Sequence, residues 1–272
     1  MSARPSRQAC GVAEPDIERL VAPNPGPMTL EGTNTYLVGR EPTTIVDPGP
    51  ADERHLGAVR SAAHARGGVM DVLLTHGHAD HAEGLDLLRE LDRREDGVTL
   101  RPSENPPEVG GESGPELQTL PTPGHSADHV CFLIPPHGEI GHAFDGWICF
   151  SGDLILGEGS SIVPPREHGG SLRDYLDSLR KLQSFELELI YPGHGPLITD
   201  PAAKIAEYIA HREERQARLE AALERGERSR ARLLDEVWDD VPEQLRGAAA
   251  VAMQAHLELL EDEGRLPDDL EE

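Results

Sequence analysis

The sequence predicts a mixed α/β (α+β) fold in which sheets are covered by helices. Short apolar runs alternate with stretches whose apolar residues recur about every 3.6 positions. This alternation continues from position 35 to about position 200, and it is typical of domains that pack helices against sheets. Beyond position 202 the pattern is almost entirely helical and highly charged. We therefore expect two units, residues 1–201 and residues 202–272.

The predicted elements follow one another in a regular order. The strands are Thr35–Gly39, Thr43–Asp47, Val69–Thr75, Val98–Arg101, Leu117–Pro121, His129–Ile134, Trp147–Ser151 and Leu187–Tyr191. The helices are Asp52–Arg66, Asp80–Leu91, Leu172–Leu182 and Ala202–Leu223. Each strand is a short apolar run, whereas each helix shows apolar residues on one face. Residues 102–115, 135–146 and 157–170 are predicted loops.

Composition limits the classes of function. The chain has 272 residues, of which 50 are acidic and 25 are basic, and its formal charge is −25. This charge opposes broad binding to nucleic acid. No run approaches the ~20 apolar residues of a membrane span, so we expect no membrane partner. The first ten residues form no apolar segment typical of a secretory signal, and we expect a cytoplasmic protein.

A dense group of metal-binding residue types follows the predicted strand Val69–Thr75. His76, His78, Asp80 and His81 fall within six consecutive positions, between that strand and the next helix. Imidazole and carboxylate groups are the ligands that Zn²⁺ and similar divalent ions prefer. Burying so many polar rings without an ion would be costly, because each ring nitrogen needs a partner. The pattern therefore predicts a metal site.

Three further residues stand at the ends of predicted strands. His125 lies in a Pro/Gly turn, Asp153 follows Gly152 after an apolar strand, and His194 lies in a second tight turn. A lone histidine in such a turn is more often structural than a ligand. Together with the group that begins at His76, these positions favour additional metal ligands.

These segments resemble the metallo-β-lactamase superfamily, in particular its branch that contains β-lactamase-like protein 2. The similarity runs from about residue 21 to residue 266. Its segments include Asn24–Tyr36, Ile45–Gly49, Gly152–Gly157, Tyr191–Pro196 and Tyr208–Arg212. The resemblance implies an αββα sandwich. The stretches Pro242–Leu245 and His256–Arg265 are similar to that branch's small winged-helix-like C-terminal domain.

The resemblance also implies a pair of metal ions and assigns their ligands. The first site takes His76, His78 and His125; the second takes Asp80, His81 and His194; and Asp153 bridges the two. Zn²⁺ is the expected ion, two per chain, with Fe or Mn as alternatives. Two cations would generate a bridging hydroxide near neutral pH, and Asp80 would orient this nucleophile as the catalytic residue.

Other residues near these segments are candidates for supporting roles. Asp47 could accept a hydrogen bond from a ligand imidazole. His129 could do the same or be a buried strand histidine. Asn34 and Ser160 are candidate pocket residues.

Three arginines recur on the long predicted helix. Arg212, Arg215 and Arg218 alternate with glutamates, which predicts a solvated ion-pair face. A track for phosphate groups is the alternative.

The expected activity is hydrolysis by a dinuclear metal centre. A small acyl thioester or ester ranks first as the substrate. A single-strand endoribonuclease ranks second, because residues 201–272 contain 19 acidic and only 10 basic residues and would bind RNA weakly. β-Lactam hydrolysis ranks lower, and a non-catalytic metal-bound interaction module is a further alternative. The oligomeric state does not follow from the sequence.

Overall fold

A computed structural model describes residues 16–93, 117–137 and 144–271. The predicted strand Val98–Arg101 and the predicted loop 102–115 lie outside the described residues, as do positions 138–143 of the loop predicted at 135–146.

Eight strands and seven helices occur in the described residues. The strands are β1 (Ile17–Val21), β2 (Asn34–Val38), β3 (Thr43–Val46), β4 (Val69–Leu73), β5 (Gln118–Pro121), β6 (Val130–Ile134), β7 (Trp147–Gly152) and β8 (Leu187–Pro192). The helices are α1 (Glu53–Ala65), α2 (Ala79–Ala82), α3 (Gly84–Arg93), α4 (Leu172–Gln183), α5 (Pro201–Glu224), α6 (Arg230–Val237) and α7 (Arg246–Asp262). Helices α1, α4 and α5 are capped at their N-termini by Asp52, Ser171 and Asp200, respectively. In each case the side chain of the capping residue accepts a hydrogen bond from a backbone N–H of the first turn.

The strands form two four-stranded sheets with the same plan. In the first sheet the order is β1-β2-β3-β4, and in the second it is β5-β6-β7-β8. The last two strands of each sheet are parallel, and the other neighbours are antiparallel. Because parallel strands end at the same edge, the loops after β3 and β4 lie together, and so do the loops after β7 and β8. This edge carries the polar residues singled out in the sequence.

The two sheets pack face to face, and helices cover their outer faces. Tyr36 and Leu73 of the first sheet belong to one buried cluster with Phe150 and Tyr191 of the second. Helices α1 and α3 cover the first sheet through residues such as Leu56, and α4 and α5 cover the second. The predicted αββα layer order is confirmed.

Helix α5 takes part in two apolar clusters. Its first half packs against the second sheet through Ile205 and Tyr208, and its second half packs with α6 and α7 through Leu219 and Leu223. Within residues 202–271, Ser229 and Glu271 form an isolated β-bridge. The winged-helix-like character of this region and the boundary at 201/202 stay predictions.

Two local differences from the sequence prediction have simple causes. Strand β1 was not expected, because it is a short edge strand with charged residues at positions 18 and 19. The predicted helix Asp80–Leu91 is divided at Glu83 into α2 and α3, and α3 begins at Gly84. There the backbone N–H of Gly84 bonds to the carbonyl of Gly49 at 2.8 Å, and a side chain would collide with that carbonyl. Among the described helices, none has the length and apolar character needed to cross a membrane.

Candidate metal centre

The loop after β4 and the short helix α2 supply four of the seven predicted metal ligands. His76 and His78 lie in the loop, and His78 caps α2. Asp80 and His81 lie within this one-turn helix. The backbone N–H of His81 bonds to the carbonyl of His78 at 3.0 Å. The turn from loop to helix therefore separates the first pair of side chains from the second.

The other three predicted ligands come from the second sheet. His125 follows β5, Asp153 follows β7 and His194 follows β8. Gly152 has a φ of +47°, and a Cβ there would lie 2.5 Å from Thr75 Oγ1. A glycine at this position lets the backbone bring Asp153 against the first sheet.

The structure brings all seven side chains together in one cluster, the donor cluster. His78 Nδ1 lies 3.0 Å from His76 Nε2 and 3.0 Å from His125 Nε2. A second group contains Asp80, His81 and His194.

Distances within the second group are similar, and Asp153 lies between the two groups. His194 Nε2 lies 3.3 Å from His81 Nε2 and 3.2 Å from Asp80 Oδ2. Asp153 Oδ1 lies 3.3 Å from His81 Nε2, and Asp153 Oδ2 lies 3.7 Å from His125 Nε2.

The donor cluster fits divalent metal ions. Two ligand atoms on a tetrahedral Zn²⁺ ion at ~2.1 Å are separated by about 3.4 Å, which matches the spacing of these atoms. Asp153 Oδ1 is buried and accepts no hydrogen bond, although two imidazoles lie beside it. Leaving a buried carboxylate oxygen without a partner is unfavourable, and a cation would supply one. The roles of the seven residues as ligands stay predictions.

Hydrogen bonds on the far side of several imidazoles fix their orientation. His81 Nδ1 lies 2.9 Å from Asp47 Oδ2, and His125 Nδ1 lies 2.8 Å from the carbonyl of Ile162. In each pair the imidazole N–H donates to oxygen, so the Nε2 lone pair faces the donor cluster. Asp47 thus occupies the supporting position that the sequence predicted for it.

His129 does not contact a ligand imidazole through a hydrogen bond. It is 1% exposed, and its Nδ1 lies 2.9 Å from Thr122 Oγ1. Its Nε2 accepts the backbone N–H of Asp153 at 3.2 Å. Of the two alternatives for this residue, the structure therefore shows a buried histidine that holds the backbone beside Asp153.

Burial and neighbouring charges shift the pKa values within the donor cluster. Burial lowers the pKa of His76 to about 2. For His194 burial acts in the same direction, but the carboxylates of Asp153 and Asp80 outweigh it and raise the pKa to about 9. Although burial opposes ionisation of Asp80, His194 and His81 lower its pKa to about 2. The second group therefore stabilises positive charge, which a metal ion would provide in place of the proton.

A cleft of about 370 Å³ extends from the donor cluster towards the C-terminal helices. His125 and Asp153 line it at one end. Its apolar lining includes Pro27, Met28, Leu30, Leu156, Ile162, Trp238, Val241, Pro242, Leu245 and Ala249. Ser160, a candidate pocket residue, also lines the cleft, whereas Asn34 is buried and bonds to the carbonyls of Pro192 and Gly195.

The prediction that the three arginines form a solvated ion-pair face on α5 is wrong for two of them. Arg212 is 4% exposed and Arg215 is 5% exposed, and both line the cleft. Arg218 is partly exposed and pairs with Asp239 at 2.7 Å. The i, i+3 spacing correctly placed the arginines near one face, but it gave no signal that residues 237–240 and the loop at 160–161 cover that face.

The sequence model of the Metallo-beta-lactamase superfamily matches residues 28–93 and 100–194, which together are more than half of the chain and include all seven donors. The chain belongs to the metallo-beta-lactamase superfamily. This confirms the resemblance found in the sequence. Members of the superfamily are mostly hydrolases.

Curated relatives of the superfamily match most of the chain. The beta-lactamase-like protein 2 homolog of Caenorhabditis elegans is 32% identical over 86% of this chain and 80% of its own length. The lactamase-like protein adaB of Aspergillus niger is 35% identical over 80% of this chain and 66% of its own length. The atrochrysone carboxyl ACP thioesterase of Passalora fulva is 32% identical over 79% of this chain and 65% of its own length. The chain thus spans about two thirds of the length of these fungal relatives.

Two solved structures share the fold over 91% of the chain. A metallo-beta-lactamase family protein of Thermus thermophilus superposes with a TM-score of 0.67 and 24% identity, over 91% of this chain and 94% of that one. A beta-lactamase domain protein of Burkholderia ambifaria gives a TM-score of 0.70 and 21% identity, over 91% of this chain and 86% of that one.

Proposed function

We propose that the protein is a dinuclear-metal-dependent hydrolase of a small acyl thioester or ester. The observation that carries this proposal is the donor cluster itself. Seven His and Asp side chains meet in one cluster, of which His125 and Asp153 line the cleft, and a buried Asp153 oxygen accepts no hydrogen bond. The proposed ions are Zn²⁺, with Fe or Mn as alternatives.

The donor cluster divides naturally between two ions. His76, His78 and His125 would hold the first ion, and Asp80, His81 and His194 would hold the second. Asp153 lies between these groups and would contact both. When bound, the ions lower the pKa of water and stabilise negative charge on the substrate oxygen.

The proposed reaction consumes one water molecule and breaks the bond between the acyl carbon and sulfur. The water oxygen bonds to the acyl carbon, the thiol leaves with a proton, and a carboxylic acid remains. Asp80 is ionised because its pKa is lowered to about 2. It therefore acts as a hydrogen-bond acceptor that orients the attacking water rather than as an acid, and Thr33 Oγ1 fixes Asp80 Oδ2 at 3.2 Å.

The lining of the cleft supports an acyl substrate. Met28 and Leu30 line the cleft together with Trp238, Val241 and Leu245 of the C-terminal region. Apolar walls favour an acyl chain and exclude water from the reacting end. The relative from Passalora fulva that is named as a thioesterase agrees with this substrate class.

A single-strand endoribonuclease is the second candidate. Arg212 lines the cleft and offers a cation near the donor cluster, whereas Arg215, which also lines it, is paired with Asp240. The net charge of −25 weighs against this candidate, because binding along an RNA strand depends on neutralising its phosphates. A non-catalytic metal-bound module is less favoured still, since all seven donors are present.

Parallel assays on one preparation test the ranking of substrates. The zinc-loaded protein is given a neutral acyl thioester of N-acetylcysteamine and a short unstructured RNA, each with and without a chelator. We expect chelator-sensitive cleavage of the thioester. Selective RNA cleavage would reverse the ranking, and cleavage of neither by a protein that binds two ions would favour the non-catalytic module.

Asp153→Asn tests the metal centre directly. The variant keeps the shape of the side chain but removes the charge that both groups share. We expect metal content and turnover to fall together, with turnover reduced more than the ~10–100-fold typical of a residue that only orients a ligand. Asp174→Asn, at an exposed position of α4, is the matched control and should change neither. Full activity in Asp153→Asn would contradict the assignment.

A further inference from the structure

We infer that the cleft contains an anion-binding subsite formed by Arg212, so that the preferred thioester carries an anionic oxygen group. The substrate class in this inference rests on the proposed function. The subsite itself rests on the surroundings of one buried guanidinium, and a binding measurement can test it without turnover.

Arg212 is a buried cation without a carboxylate partner in the described part of the chain. Its side chain donates through Nη2 to Ser160 Oγ at 2.9 Å and to the carbonyl of Ser161, and its Cζ lies 5.4 Å from the Tyr175 ring centre. Its Nε is buried and has no hydrogen-bond partner. Burying a charge without an opposite charge is costly. An anion supplied by a ligand would remove this cost.

The two neighbouring arginines of α5 differ from Arg212 in this respect. Arg215 donates to both carboxylate oxygens of Asp240, at 2.5 and 2.6 Å. Arg218 pairs with Asp239 at 2.7 Å. The chain thus provides a carboxylate for each of these two arginines and none, among the described residues, for Arg212. This contrast among the described residues favours a bound ligand as the source of the opposite charge for Arg212.

Arg212 also lies close to the proposed reaction centre. Its partner Ser161 has its Oγ 3.3 Å from His125 Nδ1, and that hydroxyl donates to the carbonyl of Asp153 at 2.6 Å. Arg212, His125 and Asp153 all line the same cleft. A ligand whose acyl carbon lies at the donor cluster could therefore reach Arg212 with a second group.

The ligand chemistry follows from the guanidinium. A planar fork of N–H donors recognises carboxylate and phosphate oxygens through charge-assisted hydrogen bonds. In a thioester these oxygens have two sources. One is a carboxylate at the far end of the acyl chain, and the other is a phosphate on the thiol arm.

The test compares three thioesters on the zinc-loaded full-length protein. The first is butanoyl-N-acetylcysteamine, which is uncharged; the second is glutaryl-N-acetylcysteamine, which carries a terminal carboxylate; and the third is butanoyl-phosphopantetheine. We expect Arg212→Gln to lower kcat/KM at least about tenfold for one or both charged substrates, because a charge-assisted hydrogen bond is lost. The loss for the uncharged substrate should be less than about threefold.

Matched variants separate charge from structure. Arg218→Gln removes a cation from the same helix and should leave all three kcat/KM values within about twofold. Arg212→Lys keeps the positive charge, and we expect it to retain part of the preference for the charged substrate. That result would show that the lower kcat/KM of Arg212→Gln is not caused by a general loss of folding. An equal loss on all three substrates in Arg212→Gln would mean that Arg212 only supports the loop at 160–161, and it would overturn the inference. A loss confined to RNA cleavage would overturn it as well.

A binding measurement distinguishes failure of the subsite from failure of the proposed function. Amide analogues of all three thioesters are titrated while Trp fluorescence is followed, since Trp238 lines the cleft. We expect the wild-type protein to bind the glutaryl amide, the phosphopantetheine amide or both at least about tenfold more tightly than Arg212→Gln does, with little difference for the uncharged butanoyl amide. If no thioester is hydrolysed, the proposed function fails while this titration still decides the subsite. Equal binding of the glutaryl amide and of the phosphopantetheine amide by the wild-type protein and Arg212→Gln refutes the subsite.

Discussion

Asp47 shows how a residue outside the donor cluster controls its geometry. Its Oδ2 accepts hydrogen bonds from His81 Nδ1 at 2.9 Å and from Thr75 Oγ1 at 2.7 Å. Its Oδ1 accepts the backbone N–H of Thr75 at 2.7 Å. One carboxylate thus fixes the end of β4 and the ring of His81, and it stabilises positive charge on that ring.

We expect Asp47→Asn to lower metal affinity by about 10–100-fold. The amide can accept fewer of these bonds and carries no charge. Asparagine tolerates the positive φ of +51° at this position, so the backbone should be preserved. A competition titration with a chromophoric chelator measures the effect.

Asp52→Asn is the control for this prediction. Asp52 also accepts a backbone N–H, from His55 at 2.8 Å, but it caps α1. This variant should keep its metal affinity. Wild-type affinity in Asp47→Asn would show that His81 is oriented by its packing alone.

The seven predicted donors could be singled out from the sequence because they occur in the segments that follow predicted strands. His76 and His194 stand at positions where a strand pattern ends in a Gly-containing turn, and strand ends meet at one sheet edge. Arg212 had no such signal. Its burial depends on contacts with Ser160 and Ser161, more than 50 positions away along the chain, and helical periodicity cannot reveal which face a distant loop will cover.

At the level of elements, the close approach of β8 to β7 sets the size of the donor cluster. Gly193 follows β8, and its N–H bonds to the carbonyl of Gly152 at 2.8 Å. A Cβ on Gly193 would lie 2.6 Å from Asp153 Oδ1 and 2.7 Å from His81 Cε1. The two strand ends can be this close only because the residue has no side chain.

We expect Gly193→Ala to displace Asp153 and His81 and to lower metal content and activity together. The displacement is needed because both contacts are shorter than any that real Cβ atoms make. Gly247→Ala is the matched control. It lies in α7 with nothing within 4 Å of the added methyl group, and alanine favours the helix. A Gly193→Ala protein that retains two ions and full activity would contradict this account of the strand ends.

The elements themselves could be predicted to different degrees. Long amphipathic patterns gave α1, α4 and α5 nearly within their observed bounds. Strand β1 was missed because two of its five residues are charged and face solvent. The break between α2 and α3 depends on a tertiary contact between Gly84 and Gly49, which no local pattern contains.

At the scale of the whole molecule, α5 joins the sandwich to the C-terminal helices. Ile205 and Tyr208 pack against the second sheet, whereas Leu219 and Leu223 pack with α6 and α7. His256 of α7 lies at this junction. It is 1% exposed, and its Nδ1 donates to Gln216 Oε1 at 2.7 Å.

We expect His256 to make the stability of the molecule fall with decreasing pH. Burial first, and then the cations of Arg212 and Arg215, lower its pKa in the folded chain well below 6.5. Below pH 6.5 the unfolded chain therefore binds a proton that the folded chain does not, which lowers the free energy of unfolding by up to ~1.4 kcal/mol per pH unit. Urea unfolding at pH 7.5 and 5.5 should show that the wild type loses more free energy of unfolding than His256→Gln, by up to about 1.4 kcal/mol. The control His64→Gln removes an exposed histidine of α1 and should follow the wild type; equal losses in all three proteins would show that His256 is protonated in the folded chain.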